Sequence, residues 1–428
     1  MNEKQQSRTL AIVFMIVFLD MVGFGILIPV IPLLLADPSS PYYILSSTTS
    51  VQTGYELLGL LLATFSLMQF LAAPILGQLS DRFGRKKLLA FSVAGSCIAY
   101  ALFGTGIIYA SLPLLFFARG LDGLTGGNIS IAQAAVADIT SPENRAKNFG
   151  LVGAAFGLGF IIGPFLGGKL SDPAIVSWFS ASTPFFVAAL VSFVEAALIV
   201  FVLPETIGKR KEGKGINPLQ SVSNILKALS HESIRPILTT VFLFQSGFTF
   251  FTTFIAVYYI DKFGFTQGDI GNMFAYIGIC VTLTQLYVIR RLPHNKEYEI
   301  LRVALLVSSI MLFVYIFPTA SWQLLLIIPV FSAFNGITQS YLPAVVSRSA
   351  DANIQGEVLG LNSSVAALAQ AIPPVIAGYF AAAFSPVMPL YVAGVIVFLS
   401  TVVFWIKQKR KLIDVSESKL WEKKSLAS

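Results

Sequence analysis

The chain has 428 residues, 55% hydrophobic and only 12% charged, with a mean hydropathy of +0.76. Soluble domains carry about 25% charged residues, so this balance excludes a soluble globular protein and points to an integral membrane protein. The net charge of +7 lies in short breaks between apolar runs and needs no nucleic acid to explain it, and Cys97, Cys280, His231 and His294 are too few and too scattered for a disulfide framework or a metal centre.

The first apolar run extends from Leu10 to Leu35. It exceeds the roughly 7–15 residues of a signal-peptide core, and no A-x-A site follows, so it reads as a retained membrane helix over 9–35. Asp20 is the only charge between Arg8 and Asp37. A charge at bilayer depth costs about 2.5–3.5 kcal/mol on insertion scales, so a carboxylate here reads as functional. Pro29 cannot donate an N–H to residue 25, and helix 1 should bend there. Further spans are predicted at 54–79, 88–109, 112–138, 149–171, 183–203, 235–260, 269–289, 299–318, 321–347, 356–384 and 387–406. None alternates as a barrel strand does, so the fold class is all-α with about twelve transmembrane helices.

With the N-terminus placed inside, all 29 Lys and Arg except Arg119, Lys169 and Lys262 fall on the inner side. That bias predicts an even number of crossings with both termini cytoplasmic. The longest inner break divides the chain into a six-helix bundle over 1–203, a cytoplasmic linker over 204–234, a second six-helix bundle over 235–406 and a cytoplasmic tail over 407–428. "VFLDMVGF" (17–24) aligns with "VFLFQSGF" (241–248), and "PFLGG" (164–168) with "PVIAG" (374–378). Two such repeats imply a transporter with its site between the halves. Asp20 aligns with Phe244, so the acid exists in one half only.

Between helices 2 and 3 lies "GQLSDRFGRKKLL" (77–89). Gly77 would allow close approach of a neighbouring helix and Gly84 a tight reversal. Asp81, Arg82, Arg85 and Lys86 form a charge knot, with Asp138 at the end of helix 4 as a gate partner for Arg82 or Arg85. Topology alone explains the cations but neither the Asp nor the glycines. This loop resembles the signature G-x-L-x-D-R-x-G-R-[KR] of the major facilitator superfamily, with every position filled. Residues 59–85 and 119–168 resemble helices 2, 4 and 5 of the tetracycline-efflux branch of its drug:proton antiporters, and "LDMVGFGILIPVIP" resembles its helix 1. In the C-terminal half only "GEVLGLNSSVAALAQAIPP" (356–374) looks similar.

The resemblance implies a proton-coupled exporter of lipophilic small molecules in the cell membrane, an antibiotic-resistance type of multidrug antiporter and not an enzyme. It implies a monomer whose partners are its substrate, protons and the bilayer, with no cofactor or metal and the proton gradient as energy source. Arg119 stands where the family's coupling motif has its Arg. The helix 5 antiporter pattern is carried by Gly159, Gly163, Pro164, Gly167 and Gly168, although packing is also a sufficient role for small residues. Asp122 departs from the family, at i+3 from Arg119, and competes with Asp20 for it. Asp20, Arg119 and Asp122 are therefore the proton-coupling candidates, and Glu195, deep in helix 6, is a further acid without a visible mate. Ala99 replaces the intramembrane acid of tetracycline exporters, so a neutral or cationic lipophilic compound is as good a substrate as chelated tetracycline. Candidate cavity residues are Phe24, Gln133, Gln245, Phe248 and Asn335, while the stripe Phe244, Phe248, Phe251 and Phe254 suits packing better than ligand binding. The same features fit a proton-coupled importer or facilitator of a small nutrient; a non-transporting sensor fits less well, since no soluble output domain is visible.

The topology is testable. Single cysteines at Gly213 and Ser46, in a background lacking Cys97 and Cys280, should react with impermeant maleimide from opposite sides of the membrane, Gly213 from the cytoplasm. Labelling from one side would refute the twelve-helix topology.

Overall fold

Lipid offers no hydrogen bonds to backbone groups, so an apolar run inside it closes its own as a helix. In a computed structural model, which describes residues 3–140, 145–207, 217–232, 234–293, 296–349 and 355–425, each apolar run is helical, and no strand occurs among the described residues. The helices are α1 (Glu3–Ile26), α2 (Ile31–Leu35), α3 (Val51–Phe83), α4 (Arg85–Ile108), α5 (Leu112–Thr125), α6 (Asn128–Ile139), α7 (Arg145–Leu170) and α8 (Thr183–Phe201). They continue with α9 (Gln220–Ser230), α10 (Arg235–Phe263), α11 (Gln267–Leu283), α12 (Glu297–Val314), α13 (Ser321–Arg348), α14 (Gln355–Ala371), α15 (Pro373–Ala383) and α16 (Met388–Ser425). A π-helical turn, Thr284–Val288, prolongs α11.

Local chemistry sets the ends. Pro32, Pro113, Pro184, Pro236 and Pro373 stand in the first turns of α2, α5, α8, α10 and α15, where a missing N–H does no harm. Thr266 and Asp269 form a reciprocal capping box on α11. The expected bend at Pro29 is a full break between α1 and α2, with Val30 N–H turning back to the Leu27 carbonyl at 3.1 Å. The span read as continuous over 112–138 is also broken, at Gly126–Gly127, because two adjacent glycines give the helix little reason to continue.

Among the described residues nine helices are long and apolar enough to cross a membrane, and Gly157–Leu170 is a shorter apolar one. Two of the other predicted spans fall short for physical reasons, while Gly157–Leu170 is the fully described C-terminal part of the 26-residue α7. The fourth span is two half-helices, and α12 opens with Glu297, Glu299 and Arg302. Phe91, Phe117, Leu190, Phe193, Phe201 and Leu326 are exposed, a surface suited to lipid. Cys97 and Cys280 are free thiols, both half-buried.

Helix α4 packs on α8 and α5 as α12 packs on α16 and α13. The two sets meet along α7 with α11 and along α3 with α14 and α15. Both meetings are glycine on glycine. A Cβ added to Gly168 would lie 3.0 Å from the Gly271 Cα, and one added to Gly59 would lie 3.0 Å from the Gly378 Cα. Gly168 and Gly378 are the last residues of the two aligned stretches, so the sequence repeat reappears as a repeated contact. Gly77 does not share this role: nothing lies within 4 Å of its would-be Cβ, and the expected close approach is absent.

Helix α9 ties the two sets together. Pro74 lies inside α3 and leaves the Phe70 carbonyl without its helical N–H. Ser221 Oγ on α9 donates to that carbonyl at 2.7 Å, and Asn224 Nδ2 donates to Ser364 Oγ on α14 at 2.9 Å. Removing the Ser221 hydroxyl leaves a buried acceptor unpaired, a loss of about 1–3 kcal/mol. Ser221→Ala should therefore lower the thermal midpoint of the purified protein, whereas Ser230→Ala, at an exposed site, should leave it unchanged. Equal midpoints for the two variants would show that α9 is not held by this bond.

Candidate functional site

Arg8 to Asp20 is twelve residues of α1, or ~18 Å at ~1.5 Å per residue, which sets Asp20 near the middle of a ~30 Å hydrocarbon core. The α1–α2 break follows it within two turns. Across from it the break in helix 4 starts α6 at Asn128, whose side-chain amide donates to the Asp20 carboxylate. The positive end of the α6 dipole faces the same acid. Gln69 of α3 donates to the Gly126 carbonyl at 2.8 Å, which satisfies backbone exposed by the break.

Arg119 is 2% exposed and Asp122 4%, and they pair at 3.1 Å within one turn of α5. The Arg119 guanidinium also stacks over the Phe65 ring, 4.4 Å from its centroid. In this conformation the competition for Arg119 goes to Asp122, and the expected Asp20–Arg119 contact is not formed. An i+3 partner needs no tertiary motion to reach the guanidinium, whereas Asp20 must come from another helix.

A cavity of about 200 Å³ opens beside these groups. Its wall carries Asp20, Asp122 and Asn128, the amides of Gln69 and Gln370, and the rings of Phe24, Phe65, Tyr100 and Phe160. Of the five cavity residues expected from the sequence only Phe24 is in this wall. Gln245 bonds Gln339 at 3.4 Å, Phe248 stacks between Phe244 and Phe251, Asn335 is buried at 8% exposure, and Gln133 is half-buried elsewhere on α6. Phe244, Phe251 and Phe254 are buried, Phe251 against Tyr315 and Phe331, so this part of the stripe is packing. Sequence reasoning missed Asn128, Gln69, Tyr100, Phe65 and Gln370. Only the Gly126–Gly127 pair before Asn128 gave a local signal.

The charge knot centres on Arg85, which is buried. Its guanidinium meets Asp81 at 2.5 Å, Asp138 at 3.0 Å and Ser80 Oγ at 2.5 Å. Its backbone N–H donates to Glu205 Oε1 at 2.8 Å, a cap from the segment after α8 that the sequence did not reveal. Gly84 has φ +107°, and a Cβ there would strike the Glu205 carboxylate, so glycine is required on two counts. Arg82 is exposed and lies over the Phe83 ring, and Lys86 is half-buried, so Asp138 serves Arg85 and not Arg82. The helix 5 pattern is a seam: Gly159 packs on Phe18 and Met21, Gly163 on Val22 and Gly25, Gly167 on Ile26 and Gly168 on Gly271, while Pro164 touches Gly25. Small residues here let α1 and α7 approach backbone to backbone, next to the Pro29 break.

A membrane protein helical throughout its described residues, with broken helices around an aromatic cavity that carries a few polar groups, has the frame of a transporter. The profile of the Major Facilitator Superfamily matches residues 13–374 and, in a second match, 296–425. The chain belongs to that superfamily, and it is a multi-pass membrane transporter, not an enzyme. It is 30% identical over 375 residues to the class C tetracycline resistance protein of Escherichia coli, covering 87% of this chain and 89% of that one. It is 29% identical over 381 residues to multidrug resistance protein 2 of Bacillus subtilis, covering 87% and 89%. The crystal structure of the human organic anion transporter MFSD10 shares the fold, with a TM-score of 0.70 at 24% identity, covering 94% of this chain and 100% of that one.

The knot predicts unequal effects of its members. Asp81→Asn keeps the size and removes the charge that meets Arg85, so substrate efflux from cells should fall to background with the protein still in the membrane fraction. Arg82→Ala, at an exposed residue, should retain most of the flux. Normal flux in Asp81→Asn would reduce the loop to a topology signal.

Proposed function

We propose that this chain is a proton-driven exporter of lipophilic, neutral or cationic small molecules that works by alternating access. The observation that carries the reading is Asp20, a mid-membrane carboxylate in the wall of a cavity built otherwise of rings, amides and the Arg119-paired Asp122. Aromatic walls with a few oriented polar groups suit an apolar ligand. Asp122 is neutralised by Arg119, so Asp20 is the uncompensated charge of the wall and favours a cation over an anion. The kinship with tetracycline and multidrug resistance proteins supports the same class of substrate.

The topology we propose has twelve crossings, with the half-helices paired as single spans, both termini cytoplasmic, and two bundles over 1–203 and 235–406 joined by the linker. The glycine contacts Gly59–Gly378 and Gly168–Gly271 lie at the helix ends remote from the 81–87 loop. Along α3, Gly59 is ~36 Å from Phe83 at ~1.5 Å per residue. In this topology the outer ends are the closed ones. Asp20 then exchanges protons with the inside through the cavity. A bound substrate cation displaces the proton, and rearrangement about the breaks at Pro29 and Gly126–Gly127 carries the site to the outer face. There a proton returns to Asp20 and releases the substrate.

The test is uphill transport of tetracycline and of ethidium into proteoliposomes under an imposed pH gradient. Wild type should concentrate at least one of them. Asp20→Asn should lose accumulation and keep downhill exchange, because Phe244 occupies the aligned position and the fold accepts an apolar group there. Accumulation by Asp20→Asn together with its loss in Asp122→Asn would move the proton site to helix 4.

A further inference from the structure

Among the described residues, three carboxyls of α1 to α8, Asp20, Asp122 and Glu195, share the region of the buried Arg119, while the other buried cation, Arg85, is taken by Asp81 and Asp138. Asp122 takes Arg119, and Asp20 takes the Asn128 amide and borders the cavity. Glu195 has neither kind of partner. It is 1% exposed, and its Oε1 is buried without a hydrogen bond.

The side chain is not turned out to lipid. Buried positions on α8 are Phe185, Ala188, Ala189, Ser192, Glu195 and Ile199, a stripe at helical spacing that packs on α4 and α1. Neighbouring Phe193 and Val194 are exposed and form the lipid side. The helices packed on α8 bring few polar or titratable groups: α1 brings Asp20, α4 brings Tyr100, Ser92 with its hydroxyl buried and unpaired, and Cys97, whose thiol is on the Ala189 carbonyl at 3.2 Å, and α7 has no titratable residue between Lys147 and Lys169. Glu195 lies within electrostatic reach of Asp20 and of Tyr100. The Tyr100 hydroxyl touches α1 at Gly23, one turn from Asp20.

An ionised carboxylate buried without cation or donor costs several kcal/mol, and two such charges near each other cost more. Glu195 is therefore held as the acid while Asp20 is ionised. We propose that Glu195 is a second proton-binding site whose charge state is coupled to that of Asp20. This rests on the proton-coupled reading above. Glu195 keeps its proton while Asp20 gives its own up to the cavity, whose wall does not include Glu195.

The test uses infrared difference spectroscopy of the purified full chain in lipid, which needs no substrate. Wild type should show a carboxylic-acid carbonyl band at neutral pH that disappears as pH is raised. Glu195→Gln should lack the band, Glu195→Asp should keep one at shifted frequency, and Asp20→Asn should move the pH at which the Glu195 band is lost. A Glu195→Gln spectrum identical to wild type would overturn the proposal. So would a band whose pH dependence is the same in wild type and Asp20→Asn, which marks a structural acid. Failure of the exporter reading is separate: it shows as uphill transport that survives Asp20→Asn, whatever the spectra do.

Discussion

Arg119 has one positive charge to give, and three carboxyls, Asp122, Asp20 and Glu195, lie with it within electrostatic reach of Tyr100. In water such an imbalance would matter little. In the middle of a bilayer, uncompensated charge is expensive, and each carboxyl without a cation must find donors or a proton. Asp122 takes the cation at 3.1 Å, and Asp20 takes the Asn128 amide at the start of α6. The cavity forms beside the acid left without a cation. What the site can bind, and how its charge can change, follow from this unequal division.

The division depends on broken helices, and the breaks depend on outside donors. A helix interrupted at membrane depth exposes backbone groups that no water satisfies. Gln69 of α3 fills the Gly126 carbonyl at the helix 4 break, and its chain neighbour Phe70 receives Ser221 of α9 where Pro74 removes an N–H. One turn of α3 thus supports the half-helix that presents Asn128 and also anchors the helix that bridges to α14. Glycine does the opposite work at the Gly59–Gly378 and Gly168–Gly271 contacts, where backbones meet with no side chain between them. The protein has polar hinges at mid-height and tight apolar seams at one end, an arrangement in which rigid groups can tilt without melting.

Sequence made the helical runs, the Pro29 break and the Gly84 turn legible, because apolar length, a missing N–H and a positive φ are local properties. The Arg119–Asp122 pair was legible for the same reason, being three residues apart on one helix. The helix 4 break was not, since two glycines interrupt an apolar run without shortening it. Glu205 capping Arg85, Gln69 reaching Gly126 and Tyr100 meeting α1 at Gly23 are meetings of distant segments, and nothing in the spacing of their own neighbours announces them. Gly77 failed in the other direction: a glycine in a signature motif suggested a close neighbour, and open space lies there instead. The cavity residues expected in the second half, Gln245, Phe248 and Asn335, are polar or aromatic in the right helices, but their side chains are taken up by one another's neighbours and by packing.

The central claim is that binding of substrate and binding of a proton exclude one another at Asp20. The most direct measurement is the proton balance of binding itself: purified protein in weakly buffered detergent solution, a pH-sensitive dye, and additions from a panel of lipophilic cations and neutral drugs. The account predicts that a compound which binds wild type releases protons into solution, and that Asp20→Asn binds the same compound without release. Binding to wild type with no proton released, or release undiminished in Asp20→Asn, would contradict it.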